Sequence, residues 1–114
     1  MWSMIKRFEI ELLKEAEEFL NQLDDRSKKK IISNMYKAKY LVDASLFKKL
    51  QHGIWEFRTI HLRRHYRLLA FWHQSQHSVK VIITHGLIKK SDKLSLQEIN
   101  KSLKIKSDYL KKYS

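Results

Sequence analysis

The sequence predicts an α+β domain in which a helical hairpin comes first, an antiparallel β meander follows and a basic helix closes the chain. Three observations carry this. Apolar residues recur at helical spacing over 11–23 and again over 26–42. Three aromatic and β-branched runs lie between 54 and 85, separated by short polar connectors. A Ser-x-x-Glu spacing at Ser95 and Glu98 then opens a last helical pattern. Helix, helix, sheet, helix is the order of an α+β fold, and 114 residues suit one domain over 1–114.

In "ELLKEAEEFLNQL" (11–23), Leu12, Leu13, Ala16, Phe19, Leu20 and Leu23 share one helical face. Its four glutamates suit the positive end of a helix dipole. The "IKRFEI" ahead of it is a candidate edge strand. Asp24-Asp25 offers an N-cap for the second helix, which places Ile31, Ile32, Met35, Ala38 and Val42 on its apolar face. After a turn at Gly53 come the strands "IWEFRTI" (54–60), "YRLLAFWH" (66–73) and "VKVIITH" (79–85). The last helix is expected to bury Leu96, Ile99, Leu103 and Leu110, with Leu94 and Ile99 closing its start as a hydrophobic staple. Lys101, Lys104, Lys111 and Lys112 then face water.

Charge is the strongest compositional fact. The formal net charge is +12, and residues 51–114 hold 13 basic side chains against 4 acidic ones, with all six histidines. Such a surface concentrates polyanions, nucleic acid above all, with a steep salt dependence. There is no cysteine, which removes disulfides and thiolate metal sites and suits a reducing cytoplasm. Apolar runs such as 68–72 fall far short of the roughly 20 residues of a membrane span.

Two glycines and no G-x-S-x-G exclude a nucleophile elbow or a phosphate-cradling loop. His61 and His65, like His73 and His77, stand four apart in strand and turn contexts without the acid of a zinc motif, so no metal site is expected. Arg, Lys and His are abundant, and such groups can cleave RNA without a metal. A base helps the 2′-OH attack, cations stabilise the phosphorane and an acid protonates the leaving oxygen. Arg58 and Arg67 stand inside strands, where adjacent placement would aim two forked donors at phosphate. Arg58 could equally be a structural partner of Glu56.

The tract "GIWEFRTIHLRRHYRLLAFWH" followed by "VIITHGLIKKSDKLSLQEINKSLKIKSDYL" resembles the RelE/HigB toxin superfamily, closest to its phage-derived, HigB-like branch. The shared features are a W-E-F-R strand, a Y-R strand, an H-G-L-I-K-K segment, a helix start ending in E-I and a basic last helix. The resemblance implies a type II toxin that cuts mRNA on the ribosome, in the cytoplasm and without cofactor. It also implies a cognate antitoxin, of helix-turn-helix type. Carried over by motif, it implies catalytic Arg58, Arg67 and His85, and RNA-binding Lys89, Lys90 and Lys93; Arg63 and Arg64 join the RNA-binding set as the basic pair of the "HLRRH" turn. Relatives place proline where Ser95 stands, and a catalytic Tyr or His near the ends of the last helix. Here Leu94 and Leu96 hold the start of that helix, and Tyr109 and Tyr113 lie toward the chain end. That leaves His85 as the candidate base, and a non-catalytic RNA- or ribosome-binding relative as the alternative. A regulatory protein held mainly by its antitoxin is a third reading.

Overall fold

The computed structural model describes residues 5–89 and 94–113. It contains strands β1 (Glu9–Leu12), β2 (Phe47–Lys49), β3 (Trp55–His61), β4 (Arg64–Gln74) and β5 (Val79–Lys89). The helices are α1 (Lys14–Asn21), α2 (Asp25–Ala38) and α3 (Leu96–Tyr113). The strands form one sheet in the order β1-β5-β4-β3-β2. β1 runs parallel to β5, and every other pairing is antiparallel. Helices α1 and α2 cover one face, and α3 covers the other.

The expected α+β order and the meander hold, and each edge carries a further strand: β1, which overlaps the candidate edge strand "IKRFEI", and β2, which was not expected. Residues Glu9–Leu12 extend the sheet instead of opening the first helix, pairing Ile10 with Val81 and Leu12 with Ile83. Leu13 N continues the ladder by donating to Ile83 O at 3.0 Å. A strand there satisfies the edge of β5, which a helix begun at Glu11 would leave bare. α2 starts as expected: Asp24 accepts from Ser27 N at 3.1 Å. Its buried stripe is Ser27, Ile31, Asn34, Met35 and Ala38, whereas Ile32 and Val42 are exposed. The helix ends at Ala38, before the periodicity reaches Val42.

Covering both faces explains why β4 is buried almost without interruption from Tyr66 to Phe71. Toward α1 and α2 lie Phe8, Leu20, Ile31, Phe47, Phe57, Leu68, Val81 and Ile83. Stacked Phe47 and Phe57, with ring centroids 4.3 Å apart, lock β2 to β3. Toward α3 lie Ile54, Leu69, Phe71, Ile82, Ile99 and Tyr109.

Three local devices set the geometry. The β3–β4 hairpin turns through Leu62 and Arg63, both at positive φ (52° and 65°). β5 carries a bulge, because Leu69 pairs with His85 while Ala70 pairs with Ile83, leaving Thr84 as the extra residue. Gly86 follows, where a Cβ would stand 2.7 Å from Leu68 Cδ2 and closer still to the Phe19 ring. The glycine is thus required by the approach of α1, not by backbone conformation.

α3 begins with Glu98 N donating to Ser95 Oγ at 3.4 Å, half of the expected capping box. Leu94 and Ile99 both join the α3-side cluster. Leu96, expected inside, is 56% exposed, and Ser102 and Tyr109 take inward positions instead. The reason is register: burying Ile99 and Ser102 turns Leu96 past the edge of the contact stripe.

Candidate active site

The α3-facing side of the sheet can be read in cross-strand rows. Glu56 pairs with Leu69 and Leu69 with His85; Arg58 pairs with Arg67 and Arg67 with Leu87; Ile60 pairs with His65 and His65 with Lys89. Alternation along each strand therefore places Glu56, Arg58, Arg67, His65, His85 and Lys89 on one face. The two strand arginines do stand side by side.

Their environments differ. Arg67 is fully buried, whereas the Arg58 side chain is 22% exposed. Glu56, itself 3% exposed, lies between them: Oε1 is 3.4 Å from Arg58 Nε and Oε2 is 3.6 Å from Arg67 Nε. Arg67 also donates through Nη1 to Tyr66 O (3.3 Å) and through Nη2 to His65 Nδ1 (3.4 Å). Arginine cannot accept, so His65 presents an unprotonated Nδ1 to it. Arg58 Nη1 reaches Ala44 O at 3.5 Å. Burial raises the Glu56 carboxyl above its ordinary range, opposed by Arg67, Arg58, Lys48 and Lys89 in that order.

Glu56 and Arg58 line a cavity of about 430 Å³ together with Lys48, Leu50, Gln51, Leu94 and Ile99. It is an open, cation-rimmed hollow between β2, β3 and the start of α3, sized for a nucleotide-scale group. Arg67 does not line it. Its guanidinium lies beneath, adding positive potential and fixing Glu56.

His85 belongs to a different constellation. It is 2% exposed, and both ring nitrogens are engaged: Nε2 with Glu98 Oε1 at 3.0 Å, Nδ1 with Thr84 Oγ1 at 3.1 Å. Thr84 Oγ1 in turn meets Ser102 Oγ at 2.7 Å and Leu69 O at 3.2 Å. The bulge makes this possible by turning both Thr84 and His85 toward α3. Burial lowers the His85 pKa, against the pull of Glu98. Glu98 thereby spends its carboxylate on the sheet instead of closing the capping box.

Lys89 ends β5 on the arginine face, and Arg63 and Arg64 are exposed at the hairpin tip. Arg64 pairs with His61 and points to the opposite face from Arg58. Lys90 and Lys93 lie outside the described residues. Among the described residues no group of three or more His, Asp or Glu side chains converges as a metal site, and no helix is long and apolar enough to cross a membrane.

Two groups were not singled out by sequence as functional. Glu56 appeared only as a structural partner of Arg58, although Glu-x-Arg in a strand puts both on one face. Lys48 gave no signal, since β2 spans three residues.

The sequence family described as phage-derived protein Gp49-like matches residues 18–107. Among curated proteins no sequence matches. A chain in the crystal structure of the toxin–antitoxin complex RelBE2 from Mycobacterium tuberculosis superposes with a TM-score of 0.56. It is 16% identical, and the superposition covers 80% of this chain and all of that one. The likeness establishes a RelE-like α+β fold.

Proposed function

Because the chain belongs to the phage-derived Gp49-like family of RelE/HigB-type toxins, we propose that it is the toxin of a type II toxin–antitoxin pair. Its activity is metal-independent cleavage of mRNA on the ribosome, in the cytoplasm, by a single domain spanning 1–114. The observation that supports this best is the pairing of Arg58 with Arg67 around Glu56 at the rim of the cavity.

In this reading Arg58 and Lys48 meet the scissile phosphate, and Arg67 acts from below as an electrostatic and positioning group. Glu56 is the titratable carboxyl beside the arginines, and burial raises its pKa above the ordinary carboxylate range, which makes it a stronger base than a free carboxylate. It takes the 2′-OH proton as the 2′ oxygen attacks phosphorus, and the leaving 5′ oxygen is protonated from water. The products are a 2′,3′-cyclic phosphate and a 5′-hydroxyl. His85 is assigned to holding α3 over the site, not to proton transfer, because both of its ring nitrogens are committed. Arg63, Arg64 and Lys89, with Lys90 and Lys93, grip RNA around the site. The antitoxin, of helix-turn-helix type, is proposed from the family and from the complex in which the structural neighbour occurs.

Cleavage of mRNA on translating ribosomes, mapped at single-nucleotide resolution, tests the reading. Wild type should produce discrete cuts and Arg58→Ala should lose them; equal cutting by a folded Arg58→Ala protein defeats the assignment. The burial of Arg67 favours one alternative, an RNA- or ribosome-binding relative without cleavage. Salt-sensitive ribosome binding with uncut mRNA would select it.

A further inference from the structure

The tip of the β3–β4 hairpin carries two features at once that its structural role does not need. A two-residue turn of this kind requires positive φ at both central positions, and Asn-Gly or Asp-Gly is preferred there. Here the positions are Leu62 (φ 52°) and Arg63 (φ 65°). A bulky side chain in the left-handed region is an outlier, with a strain cost of roughly 1 kcal/mol or more. The neighbouring β2–β3 turn uses the same region at His52 (φ 59°) and Gly53 (φ 77°), so one of its two positions is glycine and neither is a bulky aliphatic residue. Leu62 is also the most exposed large apolar residue described, at 79%, and Ile60 beside it is 60% exposed.

The chain around this apolar point is cationic, with Asp24 at the start of α2 as an acid within electrostatic reach of His61. Arg63 and Arg64 are exposed, His61 and His65 flank them, and no acidic residue occurs between Glu56 and Asp92. Ile60 lies on the same face as Arg58, two residues along β3. The tip is therefore continuous with the arginine site, about 13 Å further along the strand.

We propose that the Leu62–Arg63 tip is a second RNA-contacting element: Leu62 and Ile60 seat against an unpaired nucleobase while Arg63 and Arg64 hold the adjoining phosphates. The cationic rim selects a polyanion over an apolar protein pocket, and an unpaired base offers the flat face that an apolar prong can cover. This rests on the reading of the ligand as RNA.

The test uses the purified full chain, thermal melting, and anisotropy of a fluorescein-labelled single-stranded RNA across a salt series. Leu62→Asn places a residue suited to the left-handed region and leaves the charge unchanged. It should melt at or above the wild-type temperature and bind the RNA about fivefold to tenfold more weakly, with an unchanged salt slope. Arg63→Gly should also keep or raise the melting temperature while making the salt slope shallower by about 0.7. Wild-type affinity in both variants, beside a wild type that binds and cleaves RNA, overturns the tip contact, the grip of Arg63 on RNA included, and leaves cleavage at the arginine site standing. A wild type that binds no RNA overturns both. Loss confined to binding of the co-encoded partner protein, with RNA affinity intact, also overturns the proposal by making the tip a protein contact.

Discussion

Arg58 and Arg67 face each other directly across β3 and β4, with the Glu56 carboxylate between them and only Arg58 at the surface. This asymmetry decides how the pair should be dissected. Arg67→Ala strips a buried carboxylate of its deeper partner, and is expected to cost about 3–5 kcal/mol of folding stability. Arg58→Ala should shift stability by less than about 1 kcal/mol and lower mRNA cleavage at least about a hundredfold. Urea denaturation beside a ribosome cleavage assay separates the two, and a severe loss of stability in Arg58→Ala would contradict the burial difference.

Glu56 gives a pH signature. Its folded pKa is raised relative to the unfolded chain, so the folded state holds the proton more tightly and stability falls as pH rises through that raised value. Wild type should gain stability as pH is lowered toward the ordinary carboxylate range near 4.5, until other groups titrate. Glu56→Gln should lack that slope. In the cleavage assay the same variant should lose the rising limb of the pH–rate profile. Matching pH profiles for the two proteins would remove Glu56 from proton transfer.

His85 has the opposite sign. Its pKa is lowered by burial, so its contribution is present above the unfolded value near 6.5 and is lost as pH falls through the lower folded value. As pH falls below 6.5 the contact of α3 with the sheet should weaken first, seen as faster amide exchange in 96–104 than in β4. His85→Ala should cost about 1–3 kcal/mol, because it strips Glu98 of its buried partner and removes one of the three contacts of Thr84 Oγ1. Unchanged exchange at α3 across this pH range would argue against the latch.

Gly86→Ala drives a methyl group into Phe19 and Leu68. The expected cost is about 1–3 kcal/mol, and Phe19→Leu in the same chain should restore part of it. Additive costs in a double-mutant cycle would show that the two residues are not in contact.

Much of this architecture was legible in the sequence, because period and capping chemistry report directly on local structure. Asp24, the aromatic strands and the Ser95 start of α3 belong to that class. The first strand was legible only as a candidate at "IKRFEI"; its parallel pairing of Ile10 with Val81 leaves no local trace, and Glu11 and Leu12 also fit the helical period that follows. The arginine pair was legible as two strand residues, but their unequal depth depends on where α3 lies. His85 could not be assigned from its neighbours in sequence, because the partner that commits it, Glu98, sits 13 residues on. In the sequence, Glu98 reads as a capping residue for its own helix.

The bulge at Thr84 also fixes which side the basic end of β5 serves. Along an unbroken strand, Val81, Ile83, His85, Leu87 and Lys89 would all point the same way, into the layer occupied by α1 and α2. One additional residue reverses the phase, so that Val81 and Ile83 stay in that layer while Leu87 and Lys89 emerge beside Arg67 and His65. A single backbone irregularity thus acts as a parity switch. Deleting Thr84 would flatten the bulge and keep Lys89 opposite His65, whereas forcing the strand into a regular ladder with Thr84 retained would deliver the lysine to the wrong surface.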